Sequence, residues 1–432
     1  MILIGLGTSV VPLDSAVNIA FPAITRGFGL AIGDIQWVII PYALTYASLM
    51  LVFGRAGDLL GHARVFRAGL ACSAIAYVAC ALATDIAWLV GFRILQGIGA
   101  ALVLSCGAAL TTALGDETQR SRLLGAYTMM MALGQLVGPS LGGALVALGD
   151  WPAVFWFRVP IALAALVLLR DPPHLARGQA GRFDAPGAAL LVLALVALPL
   201  TINRLDRASA LPVGLAAAAT FAGFVWWELR TAQPIIDLRV FRVPGFAAIT
   251  AANVTINLAG FVIWLLVPYY LARGEGLGVA LGGMVLAAAS LGIVIASPIG
   301  GRLLGRISAR RLALVGAVLS ALGLLLVARW GSDTSAAAMV AALLVQSVGL
   351  GLFQLACADS VTATIARQDR GVSGSLVLVA RTVGIVAAAS LMRLLFETLS
   401  TRDGFLPAFH QCFGLAALLS FATVGLLVVR RT

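Results

Sequence analysis

Lysine is missing from the chain, so all 29 basic residues are arginine, and charged residues of either sign fill only 11% of the 432 positions. Soluble domains carry roughly 25% charged residues, so this scarcity excludes an ordinary water-soluble fold. Histidine and cysteine are also sparse. His62, His174 and His410 are dispersed, and Cys72, Cys80, Cys106, Cys357 and Cys412 sit in apolar runs without a CxxC pair or a histidine at ligand spacing. Buried free thiols are expected, not a metal centre or disulfide framework. No phosphate loop and no nucleophile, base and orienter grouping occurs, so neither an enzyme nor a cofactor is expected. The net charge of +11 is spread through short loops and forms no stripe or tail, which argues against a nucleic-acid partner. Met1–Gly7 lacks a basic start, and the run that follows holds Asp14; a retained helix is expected there and not a signal peptide.

What the chain does have is apolar residue after apolar residue: 61% hydrophobic, with a mean hydropathy of +1.02. Apolar runs of about 20 residues match the thickness of a bilayer core. The expected fold class is therefore an all-α integral membrane protein with 14 transmembrane helices, from 3–24 at the start, through 153–169 and 185–202, to 408–429. With both termini cytoplasmic, the inside loops hold most of the arginines, as the positive-inside rule requires.

Polar stretches at 170–184 and 228–244 isolate two helices that contain no buried acid. The expected division is an N-terminal six-helix bundle (1–169), linker segments with two inserted helices (170–244) and a C-terminal six-helix bundle (245–432). Two inside turns repeat across the halves, GRAGDLLGHARVFRAG from Gly54 and GGRLLGRISARRLALVG from Gly300. Pseudo-repeated halves suit a transporter built around a midplane site.

Asp14, in VPLDSAVNIAFP, is the anomaly of the first span. An ionised acid at membrane depth costs several kcal/mol, so it is a functional candidate by default. Asn18 lies four residues on and shares its helix face. Arg93 is a second intramembrane charge, in LVGFRILQGIGAAL, with Gln96 one turn later. At 1.5 Å per residue, Arg93 and Asp14 lie roughly 10 and 15 Å from the outer surface, close enough to pair. An arginine within reach holds the carboxylate ionised, and separating the two while buried favours protonation.

These motifs together resemble the major facilitator superfamily, and within it the fourteen-helix drug/proton antiporter branch. Asp14, Asn18 and Pro22 match the branch's first-helix signature, with Ser15 in place of the usual threonine. Gly54, Asp58 and Gly61 match the inside loop between helices two and three. Leu59 and His62 replace two arginines expected in that loop, with Arg64 and Arg67 as partial substitutes. The resemblance implies that Asp58 docks near Gly371–Ser373 at the start of the second-last helix. Arg93, Gln96, Gly97 and Gly99 match the fourth-helix motif. In MALGQLVGPSLGGAL, Gly134, Gly138, Pro139, Gly142 and Gly143 match the fifth-helix antiporter pattern, which implies exchange of substrate for protons. Arg158 stands where the family usually has asparagine; snorkelling to the outer surface is expected of it, with a place in the substrate cavity as the alternative.

In the second half, Asp359 is read as a second buried acid for proton or cation binding, and Arg381 as an arginine that orients helices at the inner half. Arg393 and Glu397, four apart, are expected to pair. Asn18, Gln96, Met130, Arg158, Asn253, Asn257, Trp264 and Gln354 are candidates to line a substrate cavity, although methionine and tryptophan at helical spacing more often pack. The reading is a monomeric inner-membrane antiporter that exchanges protons, chiefly through Asp14, Arg93 and Asp359, for a small amphiphilic or lipophilic compound, with a cation favoured by the acid. An importer or uncoupled facilitator, or a non-transporting receptor or scaffold, stays open.

Overall fold

The computed structural model describes residues 2–112, 119–169, 184–202, 210–231, 238–243, 245–273, 278–304, 306–364 and 370–428. Among the described residues the regular structure is entirely helical. Two compact units cluster, one of residues 1–192 with 278–284 and the other of residues 193–277 with 285–432. Among the described residues ten helices are long and apolar enough to cross a membrane, or up to twelve when two bent pairs each count as one span. The expected span at 153–169 is a shorter apolar helix, Ala153–Leu168, and the expected one at 185–202 is a helix, Ala185–Ile202.

The first unit opens with a span that is not one continuous helix, against the expectation for 3–24. It consists of α1 (Ile2–Ser9), a 3₁₀ turn (Pro12–Asp14), α2 (Ser15–Ile19) and α3 (Phe21–Gly27), and α3 is bent by 62° from the pieces before it. Proline is the reason. Pro12 and Pro22 bring no N–H, so the carbonyls four residues back lose their helical donors. The chain tightens instead, with Val11 N–H donating to Thr8 O at 3.2 Å and Ala20 N–H to Val17 O at 3.1 Å.

α4 (Gln36–Leu60) and α5 (His62–Ala81) meet at Gly61, whose φ of +95° lies where a side chain is strained. Gly61→Ala is expected to cost about 1 kcal/mol or more, read as a lower melting temperature in detergent; an unchanged melting point would remove the turn's need for glycine. α6 (Ile86–Thr112), α7 (Arg120–Gly149), α8 (Ala153–Trp156) and α9 (Arg158–Leu168) follow. Their inward faces share an apolar core around Val10, Phe66, Leu70, Tyr77, Val103 and Ala162.

The remaining helices are α10 (Ala185–Ile202), α11 (Ala210–Arg230), α12 (Phe246–Arg273), α13 (Val279–Leu304), α14 (Ala309–Val327), α15 (Ala336–Thr364), α16 (Arg370–Asp403) and α17 (Phe405–Val428). Within the second unit α14 packs on α15 and α17, and α12 on α16 and α17. A thin polar thread crosses this packing: Ser420 Oγ donates to Ser320 Oγ at 3.4 Å, which also accepts from Gln346 Nε2 at 3.5 Å.

Candidate transport site

Asp14 closes the 3₁₀ turn at the break in the first span. It carries three side-chain partners from two other helices. Arg93, in the body of α6, reaches it with a two-pronged fork: Nη1 donates to Oδ1 at 2.7 Å and Nη2 to Oδ2 at 2.9 Å. Paired parallel bonds of this kind fix angle as well as distance. The Nε of Arg93 donates to the Val38 carbonyl of α4 at 2.8 Å. Gln96, three residues on in α6, donates from Nε2 to Asp14 Oδ1 at 2.7 Å and accepts from Arg93 Nη1 at 2.8 Å. The pairing expected from depth is therefore present, and Gln96 joins it.

Arg158 corrects its expectation. It does not snorkel: it is 0% exposed and donates from Nη1 to Asp14 Oδ1 at 2.7 Å and from Nε to the Val154 carbonyl at 3.1 Å. The short helix α8 and the turn at Phe157 bring the first residue of α9 into the interior of the unit, where counting residues from the outer end had put it near the surface. Aromatic faces complete the shell, the Phe155 ring among them with its centroid 5.2 Å from Arg158 Cζ. Arg93 Cζ lies 4.2 Å from the Tyr42 ring centroid, and Arg158 Cζ 4.4 Å from that of Tyr77; such contacts are worth about 2 kcal/mol or more when desolvated. Tyr77 itself is held by a 3.2 Å bond from its hydroxyl to the Val10 carbonyl. Neither tyrosine was picked out from sequence; the one available signal was a tyrosine inside a span, away from the interfacial belts where the residue concentrates.

The glycines of the fifth-helix motif turn out to hold the backbone that carries Asp14. They are close-contact residues. A Cβ on Gly134 would stand 2.9 Å from the Ser9 carbonyl oxygen, one on Gly142 2.8 Å from that of Ala16, and one on Gly138 would overlap Ser15 Oγ. Ser15 Oγ also donates to the Gln135 carbonyl at 3.1 Å. Thus α7 lies backbone to backbone along Ser9–Ala16, the mode of approach small residues permit. Gly143 points elsewhere, to Val279 and Gly283 of the α13 segment that clusters with this unit, and the Pro139 carbonyl meets Gly283 too.

Other expected residues lie apart from this cluster. Asn18 is half-buried and has no hydrogen bond to Asp14 or the arginines. Met130 packs on Gly5 of α1. Asp359, expected as a second buried acid, is exposed on α15, because the last turns of that helix present this position outward. Asn253 and Asn257 are buried in α12. Asn257 Nδ2 donates to Asn253 Oδ1 at 2.8 Å, Asn253 Nδ2 to the Val377 carbonyl at 3.0 Å, and Gln354 Nε2 to Asn257 Oδ1 at 3.4 Å. These three amides form one polar group in the second unit. Trp264 is half-buried in α12 and Arg381 half-buried in α16. Arg393 and Glu397 pair as expected, at 3.1 Å.

At the junction of α4 and α5, Asp58 sits 3.5 Å from His62 Nε2, so the histidine that replaces an expected arginine meets the motif's acid. Arg64 is exposed, Gly54 half-buried, and the side chains of Gly371–Ser373 lie outside the described residues.

Ten to twelve candidate spans among the described residues and a buried, charged cluster on a broken helix are the make-up of a multi-pass membrane transporter. The model of the Major Facilitator Superfamily matches residues 3–260 and 249–432, and the chain belongs to that family. It is similar to the multidrug resistance protein Stp of Mycobacterium tuberculosis, 32% identical over 76% of this chain and 62% of that protein; the match spans less than two thirds of that relative's length. It is also similar to the riboflavin transporter RibZ of Clostridioides difficile, 24% identical over 99% of this chain and 96% of that one. A third relative is the tetracenomycin C resistance and export protein of Streptomyces glaucescens, 29% identical over 89% and 73%. Among solved structures, a POT family transporter in complex with 5-aminolevulinic acid covers 97% of this chain and 94% of its own at 14% identity, with a TM-score of 0.73; it shows the fold alone. The chain is thus a multi-pass membrane protein of that family.

Proposed function

We propose that the chain is a proton-coupled antiporter of the inner membrane that exports small amphiphilic compounds by alternating access, with Asp14 as the proton carrier. The supporting observation is the buried fork between Asp14 and Arg93, a contact whose strength depends on the charge of the acid. While Asp14 is ionised, the broken first span is tied to α6 and α9. Protonation removes the negative charge, frees both guanidiniums and lets the segments part. A proton that enters from outside and leaves inside then resets the transporter after substrate has gone the other way. The multidrug and antibiotic exporters among its relatives support the outward direction. The same proposal includes cytoplasmic termini, a monomer in the lipid bilayer, and fourteen spans arranged as two six-helix bundles with a two-helix insert at 170–244.

The expectation of cationic cargo rested on a lone acid. With two arginines on that acid, no excess negative charge is left at the site to attract a cation.

Everted vesicles with an acid lumen test the coupling. Addition of a transported amphiphile is expected to release lumenal protons, seen as recovery of a quenched pH dye, while the compound accumulates. Accumulation that moves no protons and survives collapse of the gradient would replace this reading with an uncoupled facilitator.

A further inference from the structure

The acid at the centre of the site is outnumbered. One carboxylate faces two guanidiniums, Arg93 and Arg158, so the cluster holds a surplus positive charge in the protein interior. The donors are also unevenly shared. Among the described residues, Asp14 Oδ1 accepts from Arg93, Gln96 and Arg158, whereas Oδ2 accepts from Arg93 alone. Two donors are what an ionised carboxylate oxygen ordinarily accommodates, and Arg93 with Gln96 already supplies them to Oδ1. Arg158 is the third donor on that oxygen, and it reaches Asp14 through one nitrogen only. Finally, Arg158 Nη2 is buried and has no hydrogen-bond partner among the described residues, although the side chain is 0% exposed. A buried donor left unsatisfied is unfavourable, and the Tyr77 face beneath the guanidinium meets its charge without accepting its N–H bonds.

We infer that Arg158 is a substrate anchor that selects compounds bearing a carboxylate or a similarly planar anionic group. Such a group takes Nη1 and Nη2 of Arg158 as a fork, while Arg93 and Gln96 keep Asp14. Two guanidiniums then face two anions, and the surplus charge is neutralised. A cationic group at the same place would add to the surplus. The interior-negative membrane potential also favours the exit of an anion, in keeping with export. This inference rests on the reading of the Asp14 cluster as the transport site, and it extends that reading from the proton to the cargo.

Equilibrium binding to the full chain in lipid nanodiscs tests it, with three fluorescent probes that share a pyrene tail and differ in the charge of the head group: 1-pyrenebutyrate, its methyl ester and the corresponding butyltrimethylammonium. Empty nanodiscs correct for partition into lipid. The wild-type chain is expected to hold the carboxylate at least about tenfold more tightly than the ester or the ammonium. Arg158→Asn is expected to remove that preference, and Arg158→Lys, which keeps the charge but not the fork, to retain part of it. Wild-type binding of the ester or ammonium as tight as the carboxylate would overturn the inference with no variant required, as would a preference that survives Arg158→Asn. Proton release from the everted vesicles is a separate readout. Proton exchange without carboxylate preference sinks the anchor alone, and carboxylate preference without proton exchange sinks the coupling alone.

Discussion

An Asp14→Asn variant is expected to lose proton-driven transport entirely and also to melt at a lower temperature. The loss of transport follows from chemistry, since an amide neither carries the proton nor changes charge. The loss of stability follows from the two arginines that share the acid. Both are buried, and removing one partner of a buried ion pair costs about 3–5 kcal/mol because the other charge is stranded. Here two charges are stranded at once. The double variant Asp14→Asn/Arg158→Asn is accordingly expected to regain part of the melting temperature without regaining transport, since one of the stranded cations has gone. Dye transport in everted vesicles and thermal melting in detergent read the two effects separately. Transport by Asp14→Asn that still follows the proton gradient would move the coupling to another residue. A melting temperature equal to that of the wild-type chain would mean that the arginines need no counter-ion.

Bulk at Gly138 or Gly142 is expected to be as damaging, by a different route. Even a methyl group at Gly142 would stand 2.8 Å from the Ala16 carbonyl oxygen and 2.9 Å from the Ala16 Cα. Both are backbone atoms that cannot rotate aside. Overpacking of this sort costs about 1–3 kcal/mol, and relief requires α7 to move off the segment that bears Asp14. Gly142→Val and Gly138→Val should therefore abolish transport in protein that still reaches the membrane. Gly125, on the same helix, has nothing within 4 Å of an added Cβ. Gly125→Ala is expected to keep full transport, with up to about 1 kcal/mol of added helix propensity. Equal tolerance at the three positions would mean that α7 is free to withdraw and that the close contact is unimportant.

The class of molecule was legible from composition, because so few charges and so many apolar runs fit only a bilayer. The pairing of Asp14 with Arg93 was legible too, since depth in a span follows from residue count and two opposite charges at similar depth have reason to meet. Arg158 was not. A charge near the end of an expected span has reason to snorkel, whereas the chain enters through a short helix and a turn that carry Arg158 inward. The first span misled in a related way: it is apolar enough over 3–24 to read as one helix, yet Pro12 and Pro22 divide it. Asp359 shows the limit of reading burial from position, for the side of a helix that faces out depends on packing partners far away in sequence. The close contacts of Gly134, Gly138 and Gly142 lay in the motif, but their target did not. Four-residue spacing predicts that something comes near and is silent about what.

The break in the first span gives Asp14 mechanical leverage. A carboxylate on a continuous helix could leave its partners only if the whole rod slid or rolled, with every packed side chain dragged along. Asp14 instead sits at a joint, at the end of a 3₁₀ turn and the start of a five-residue helix. Bonds of 2.7–2.9 Å to the arginines are lost within an ångström or so of movement. A few degrees of rotation at the joint supply that, with α1 and α3 still seated. The charge state of one residue can thus act as a latch on a local pivot, while the framework around it stays rigid.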